Sequence, residues 1–141
     1  MILLDTNVVS EVMAPAPSET VLEWLDGRDA STLYISTVTI AEIGYGLRVL
    51  PAGKRRQFLE ERFEEFVGLG FEQRVLPFDH AAARLYAGLM ARRREIGRPM
   101  GIPDGQIAAV ARANRLAIAT RNVRDFEECG LEISNPFEER A

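Results

Sequence analysis

The sequence is poor in cysteine, histidine and lysine. Its 141 residues contain one of each: Cys129, His80 and Lys54. A lone cysteine cannot form an internal disulfide, so we expect Cys129 to be a half-buried thiol in a reducing compartment. A lone histidine excludes catalysis by a pair of histidines within one chain, and it leaves carboxylates as the main titratable groups.

The sequence also lacks any apolar run near the ~18 residues that a membrane span needs. The first residues include an acid and have no basic segment, which is unlike a secretory signal. The hydrophobic content is 47%, the charged content is 27% and the net charge is −4. We therefore expect one soluble cytoplasmic domain covering residues 1–141, with no membrane association.

Strand-like and helix-like segments alternate along the chain. The strand-like segments are short and apolar, and the helix-like segments have apolar residues at helical spacing. This alternation predicts a three-layer α/β/α sandwich around a short, mainly parallel sheet. The predicted strands are 2–4, 32–37, 74–78, 116–120 and 131–133, and the predicted helices are 18–27, 38–50, 53–70, 79–97 and 103–115.

Four acids follow strand ends or open helices in this arrangement. Asp5 ends the first strand, and Glu42 lies in the first turns of the helix after the second strand. Asp104 opens the helix of "GIPDGQIAAVA", and Asp125 follows the fourth strand. Since ligands bind outside the carboxyl ends of parallel strands, we expect all four acids at one edge of the sheet.

Three of these acids also have simpler explanations. Asp104 could complement the dipole of its helix. Asp125 could form a surface ion pair with Arg121 or Arg124. Glu42 could be an ordinary helix residue, although an unpaired carboxylate among apolar residues is uncommon. A purely structural role is least convincing for Asp5, because a buried strand has no structural need to end on an acid.

Clustered carboxylates repel one another and favour a bound cation. Oxygen ligands without histidine or cysteine suit hard cations such as Mg²⁺ or Mn²⁺. Such an ion can activate a water molecule and stabilise the charge that develops on a phosphoryl group. The pattern therefore predicts metal-dependent hydrolysis of phosphodiester bonds.

Four stretches carry a resemblance to a known family. They are "LLDTNVVSEVM", "ISTVTIAEIGYGLR", "GIPDGQIAAVARANRLAIATRNVRDF" and "LEISNPF". In their order and spacing they resemble PIN-domain proteins, and more narrowly the VapC/FitB-like ribonuclease toxins of type II toxin–antitoxin pairs. The resemblance covers essentially the whole chain.

The resemblance implies roles for individual residues and partners. It implies an Mg²⁺- or Mn²⁺-dependent endoribonuclease that dimerises and is silenced by a cognate antitoxin. Asp5 and Asp104 match the primary metal ligands. The full catalytic and metal-binding quartet is Asp5, Glu42, Asp104 and Asp125, supported by the polar residues Thr6, Asn7, Thr120 and Asn122.

A basic cluster lies just before Asp104 in the sequence, and we expect it to help guide RNA to the acids. Its members are Arg92, Arg93, Arg94 and Arg98. Its phosphate contacts would make RNA binding weaken with salt.

Three other functions fit the sequence less well. An aspartyl phosphatase would need an acid where Asn7 stands, and a receiver domain would need a lysine after a late strand, whereas Lys54 lies in a helical segment. A PIN-like nucleic-acid-binding or interaction module without catalysis remains the alternative. A clustered negative site disfavours that alternative, because it repels a polyanion.

Overall fold

The computed structural model describes residues 1–138, which form a sheet of five parallel strands. The spatial order is β3-β2-β1-β4-β5, so the first strand lies in the middle. The strands are β1 (Ile2–Leu4), β2 (Leu33–Ser36), β3 (Val75–Leu76), β4 (Ala117–Ala119) and β5 (Ile133–Ser134).

Helices connect the strands and cover the sheet. They are α1 (Thr6–Met13), α2 (Glu19–Asp26), α3 (Thr37–Arg48), α4 (Lys54–Glu65), α5 (His80–Glu95), α6 (Ile102–Ala113) and α7 (Val123–Phe126). A 3₁₀ turn spans Ala30–Thr32, and a wider π-helical turn, Phe66–Gly70, follows α4. None of the helices within residues 1–138 has both the length and the apolar composition needed to cross a bilayer.

Two apolar cores lie on opposite faces of the sheet. Successive strand residues point to opposite faces, so Leu4 packs with residues of α1–α4 and Leu3 packs with residues of α5 and α6. Both leucines are fully buried. The predicted three-layer α/β/α sandwich is therefore confirmed, and its sheet is entirely parallel.

The strand register brings the ends of β1 and β4 together. Leu4 pairs with Ala119, and the backbone N–H of Asp5 donates to the carbonyl of Ala119 at 2.9 Å. Asp5 follows β1 and Thr120 follows β4, so these two residues leave the sheet side by side. This register fixes the centre of the functional edge.

Some local predictions were wrong. The sequence pattern gave no helix between Asp5 and the proline-rich segment, yet α1 begins directly at Thr6. The predicted helix 53–70 is α-helical from Lys54 to Glu65 and continues as the π-helical turn Phe66–Gly70. The fifth strand lies at Ile133–Ser134 rather than 131–133, and Cys129 is buried rather than half-buried.

Candidate active site

Asp5 lies at the middle of the carboxyl edge of the sheet and caps α1. Its Oδ1 accepts a hydrogen bond from the Thr6 backbone N–H at 2.8 Å. Its Oδ2 accepts from Thr120 Oγ1 at 2.8 Å and from Asn7 Nδ2 at 3.2 Å. The side chain is only 3% exposed, so these donors replace most of the water that a carboxylate would normally bind.

The surroundings of Asp5 raise its pKa from the ordinary 3.8 to about 6. Burial is the largest cause, because it penalises the charged form. The hydrogen bonds from Thr120 and Thr6 act in the opposite direction. The negative charges of Asp104 and Glu42 are smaller causes that also raise this pKa.

Glu42 reaches the same edge from α3. This helix begins after β2, where Ser36 Oγ accepts from the Thr39 N–H at 3.2 Å and caps the first turn. Thr6 Oγ1 donates to Glu42 Oε1 at 2.7 Å and also lies 3.0 Å from Thr39 Oγ1. The start of α1 therefore holds the Glu42 carboxylate next to Asp5.

Asp104 lies in the first turn of α6. The next residue, Gly105, has no side chain and so allows α6 to approach α5 closely. A Cβ atom added to Gly105 would lie 2.4 Å from Met90 Sδ and 3.1 Å from Tyr86 Cε2. Burial, followed by the charges of Asp125 and Glu42, raises the pKa of Asp104, while the charge of Arg93 lowers it. Asp104 thus interacts with acids from three other segments.

The segment after β4 supplies Thr120, Asn122 and Asp125. Thr120 is fully buried, and its Oγ1 accepts from the backbone N–H of Asn122 at 3.0 Å while donating to Asp5. The Asn122 carbonyl accepts from the N–H of Asp125 at 3.0 Å. Asp125 itself is exposed and acts on Asp104 through its charge.

These elements enclose a cleft of about 500 Å³. Three predicted acids line it, whereas Asp125 lies outside its lining. Three other lining residues, Ser10, Glu11 and Arg121, were not predicted as site residues. Recognising α1 would have pointed to Ser10, because it lies one turn after Thr6 on the same helix face. The lining is Asp5, Thr6, Asn7, Ser10, Glu11, Glu42, Asp104, Arg121 and Asn122.

Arg93, a member of the predicted RNA-guiding cluster, is buried in this structure. Its side chain is 4% exposed, and its Nη1 donates to the carbonyls of Asp125 and Glu127 at 2.9 and 2.7 Å. Its Nε donates to the carbonyl of Arg98 at 2.7 Å. These contacts place Arg93 between the end of α5 and the α7 segment, so of the four arginines it is the one least available to RNA.

The other arginines of the predicted cluster lie outside the cleft lining. Arg92 pairs with Glu128 at 3.3 Å, and Arg98 pairs with Glu127 at 3.2 Å. Arg94 is exposed on the last turn of α5. Contact of these three arginines with RNA stays a prediction.

The donor chemistry of the cleft fits a hard divalent cation. Its acids supply carboxylate oxygens, and a cation would offset the burial and the mutual repulsion that together raise the pKa of Asp5 and of Asp104. Within residues 1–138, however, no group of three or more histidine, cysteine, aspartate or glutamate side chains is close enough to hold an ion as it stands. The acids interact over a distance without forming a complete ligand set.

Comparison with known proteins identifies the family. The sequence profile of the PIN domain matches residues 2–130. The chain is 47% identical over 138 residues to VapC ribonuclease Y4jK of Sinorhizobium fredii, with 98% of this chain and 99% of that protein covered. It is 39% identical over 137 residues to toxin FitB of Neisseria gonorrhoeae, with 97% and 99% covered.

The fold agrees with this assignment. A solved structure of FitAB bound to the IR36 DNA fragment superposes with a TM-score of 0.92 at 37% identity. The alignment covers 100% of this chain and 99% of the FitAB chain. The similarity thus includes every element that supplies an acid to the cleft. The chain belongs to the PIN-domain family, in the group that includes VapC ribonucleases and toxin FitB.

Proposed function

We propose that this protein is a metal-dependent endoribonuclease and the toxin of a toxin–antitoxin pair. The observation that carries the proposal is the cleft in which Asp5, Glu42 and Asp104 interact. Without a bound cation, ionisation of a buried carboxylate beside two others is unfavourable, and the raised pKa of Asp5 reflects this. A module that only bound RNA would gain nothing from this repulsion, whereas a hydrolase that uses a cation needs the acids.

Asp5 and Asp104 would hold Mg²⁺ or Mn²⁺, with Glu42 and Asp125 completing the acidic quartet. When bound, the ion would supply an activated water and offset charge on the scissile phosphate. Thr120 and the Thr6 N–H keep the Asp5 carboxylate in one orientation. Because Thr6 occupies Oε1 of Glu42, its Oε2 is the oxygen that we assign to accept the proton of the attacking water.

Support for the biological role comes from the relatives. VapC ribonuclease Y4jK is named as a ribonuclease, FitB is named as a toxin, and the similar solved structure is a FitAB complex on DNA. We therefore assign this chain RNA as its substrate and a cognate antitoxin as its inhibitor. The homodimer rests on the resemblance to the family alone and stays a prediction. The protein's place of action is the cytoplasm, where RNA is available.

The direct test is RNA cleavage by the purified protein with Mg²⁺ or Mn²⁺, compared with EDTA. Asp5→Asn should lower the rate at least about 100-fold, since the lost stabilisation amounts to several kcal/mol. The matched control is Asp79→Asn, the same change at the exposed cap of α5, where Asp79 Oδ1 accepts from the Ala82 N–H at 3.0 Å. Expression in a host should arrest growth for the wild type and the control only.

Cleavage of RNA at equal rates by wild type and Asp5→Asn would remove the catalytic assignment. RNA binding without cleavage under either metal would instead favour the non-catalytic binding module.

A further inference from the structure

Arg121 is the one basic residue among the residues that line the cleft within residues 1–138. The other charged lining residues are the acids Asp5, Glu11, Glu42 and Asp104. RNA carries a negative charge on every phosphate, so a purely acidic cleft would repel it. A cation at this position is therefore the group best placed to attract the RNA backbone into the cleft.

The Arg121 side chain is already held in place on two sides. Its guanidinium carbon lies 3.9 Å from the centre of the Phe137 ring, and its Nη2 lies 3.7 Å from Glu11 Oε1. Stacking on an aromatic ring restricts the guanidinium to one plane and lowers the entropy lost when it binds a ligand. Phe137 thus supports the guanidinium at the cleft.

The backbone of Arg121 is tied to the acidic centre. Its N–H donates to Asn7 Oδ1 at 3.2 Å, and Asn7 Nδ2 donates to Asp5 Oδ2 at 3.2 Å. One asparagine therefore connects Arg121 to the carboxylate at the middle of the sheet edge. A phosphate bound by Arg121 would lie along the same cleft as Asp5.

The contact with Glu11 does not use up the binding capacity of Arg121. The pair is long at 3.7 Å, and the arginine side chain is 57% exposed, which is the setting of a weak ion pair. A guanidinium has five N–H donors and matches the geometry of phosphate oxygens. An incoming phosphate can therefore compete with Glu11 for this side chain.

We propose that Arg121 binds a phosphodiester of the RNA substrate next to the acidic centre, with Phe137 positioning its guanidinium and Glu11 restraining it. This inference rests on the proposed function, and it makes Arg121 a substrate-binding residue. It adds a phosphate contact from the loop after β4 to the contacts predicted for Arg92, Arg94 and Arg98.

The test compares the wild type, Arg121→Gln and Arg121→Lys in steady-state cleavage of a single-stranded RNA oligonucleotide. Loss of one charge-assisted hydrogen bond should raise KM about tenfold for Arg121→Gln, with kcat within about threefold. Arg121→Lys should recover most of the KM, because it retains the charge. The matched control is Arg84→Gln, which removes an exposed arginine from α5 and should leave both constants unchanged.

Salt dependence gives a readout that a purely structural role would not change. RNA binding is measured by fluorescence anisotropy in an Asp5→Asn background. Each phosphate contact contributes about 0.7 to the slope of log K against log salt for a single strand. Arg121→Gln should therefore flatten the slope by about 0.7, and Arg121→Lys should retain it.

The restraint by Glu11 is tested with a double-mutant cycle. Glu11→Gln should tighten RNA binding severalfold in the presence of Arg121 and much less in the Arg121→Gln background. If Glu11→Gln increased RNA affinity equally in both backgrounds, Glu11 would act only by repelling RNA. That result would overturn its proposed restraint of Arg121.

An unchanged KM and salt slope in Arg121→Gln, for a wild type that cleaves RNA, would overturn the phosphate contact alone. A wild type that cleaves no RNA with either metal would instead overturn the proposed function.

Discussion

Replacing the central acid should stabilise the protein while it removes activity. In the metal-free fold Asp5 has a pKa of about 6, against the ordinary 3.8. Each pKa unit corresponds to about 1.4 kcal/mol, so ionised Asp5 lowers the free energy of unfolding by about 3 kcal/mol at pH 7. Asp5→Asn removes this penalty because asparagine does not ionise.

The variant also loses one favourable contact. An asparagine can still accept at Oδ1 from the Thr6 N–H, as a good helix cap does. Its amide nitrogen, placed where Oδ2 lies, would face the donating Nδ2 of Asn7, whereas the Thr120 hydroxyl can turn to accept from it. The lost hydrogen bond costs about 1 kcal/mol. The expected net gain at pH 7 is therefore about 2 kcal/mol.

The direction of the effect depends on pH. Between the ordinary pKa of 3.8 and the folded pKa of about 6, the folded protein binds more protons at Asp5 than the unfolded chain does. The contribution of Asp5 is therefore most favourable below this window and is lost as the pH rises through it. At pH 4 Asp5→Asn should be destabilised by about 0.5 kcal/mol, with the two stabilities crossing near pH 4.5.

The assay is urea unfolding in EDTA at several pH values. The matched control is again Asp79→Asn, which should change the free energy of unfolding by less than about 0.5 kcal/mol without a crossover. Equal destabilisation of Asp5→Asn at pH 4 and pH 7 would refute the argument that a buried charge at this position opposes folding.

Three further predictions concern the surroundings of Asp5. Thr120→Val removes the hydroxyl that donates to Asp5 Oδ2, so the acid limb of the pH–rate profile should move to higher pH; an unmoved limb would contradict this role. Arg93→Met leaves the carbonyls of Asp125 and Glu127 without their donor and should cost about 2–4 kcal/mol in urea unfolding, whereas Arg94→Met on the exposed face should cost under about 0.5 kcal/mol. Mg²⁺ at 100 times its Kd should stabilise the wild type by about 2.7 kcal/mol in thermal unfolding, and equal stabilisation of Asp104→Asn would argue against that ligand.

The position of the acids could be predicted because parallel strands place their carboxyl ends at one edge. Asp5, Glu42 and Asp104 line one cleft, as the sequence pattern indicated. Asp125 lies beyond that lining but interacts with Asp104. The combined action of all four acids on one ion stays a prediction.

The surroundings of the acids were harder to predict, because they depend on contacts distant in sequence. The run "ARRRE" at 91–95 indicates a solvated helix end, yet Arg93 is buried. Its donors reach carbonyls more than 30 residues away in sequence, and nothing in the local pattern encodes that contact. Helix α1 was missed because the polar residues after Asp5 resemble a loop.

The sequence by itself determined the layer order of the fold and the chemistry of the site. Apolar periodicity specifies which segments are strands and helices, and the scarcity of histidine and cysteine limits the site to oxygen ligands. Only the tertiary structure decided the exposure of each charge, since burial depends on how separate segments pack. For that reason Arg93 lies inside the protein, whereas Arg121, stacked on Phe137, faces the cleft.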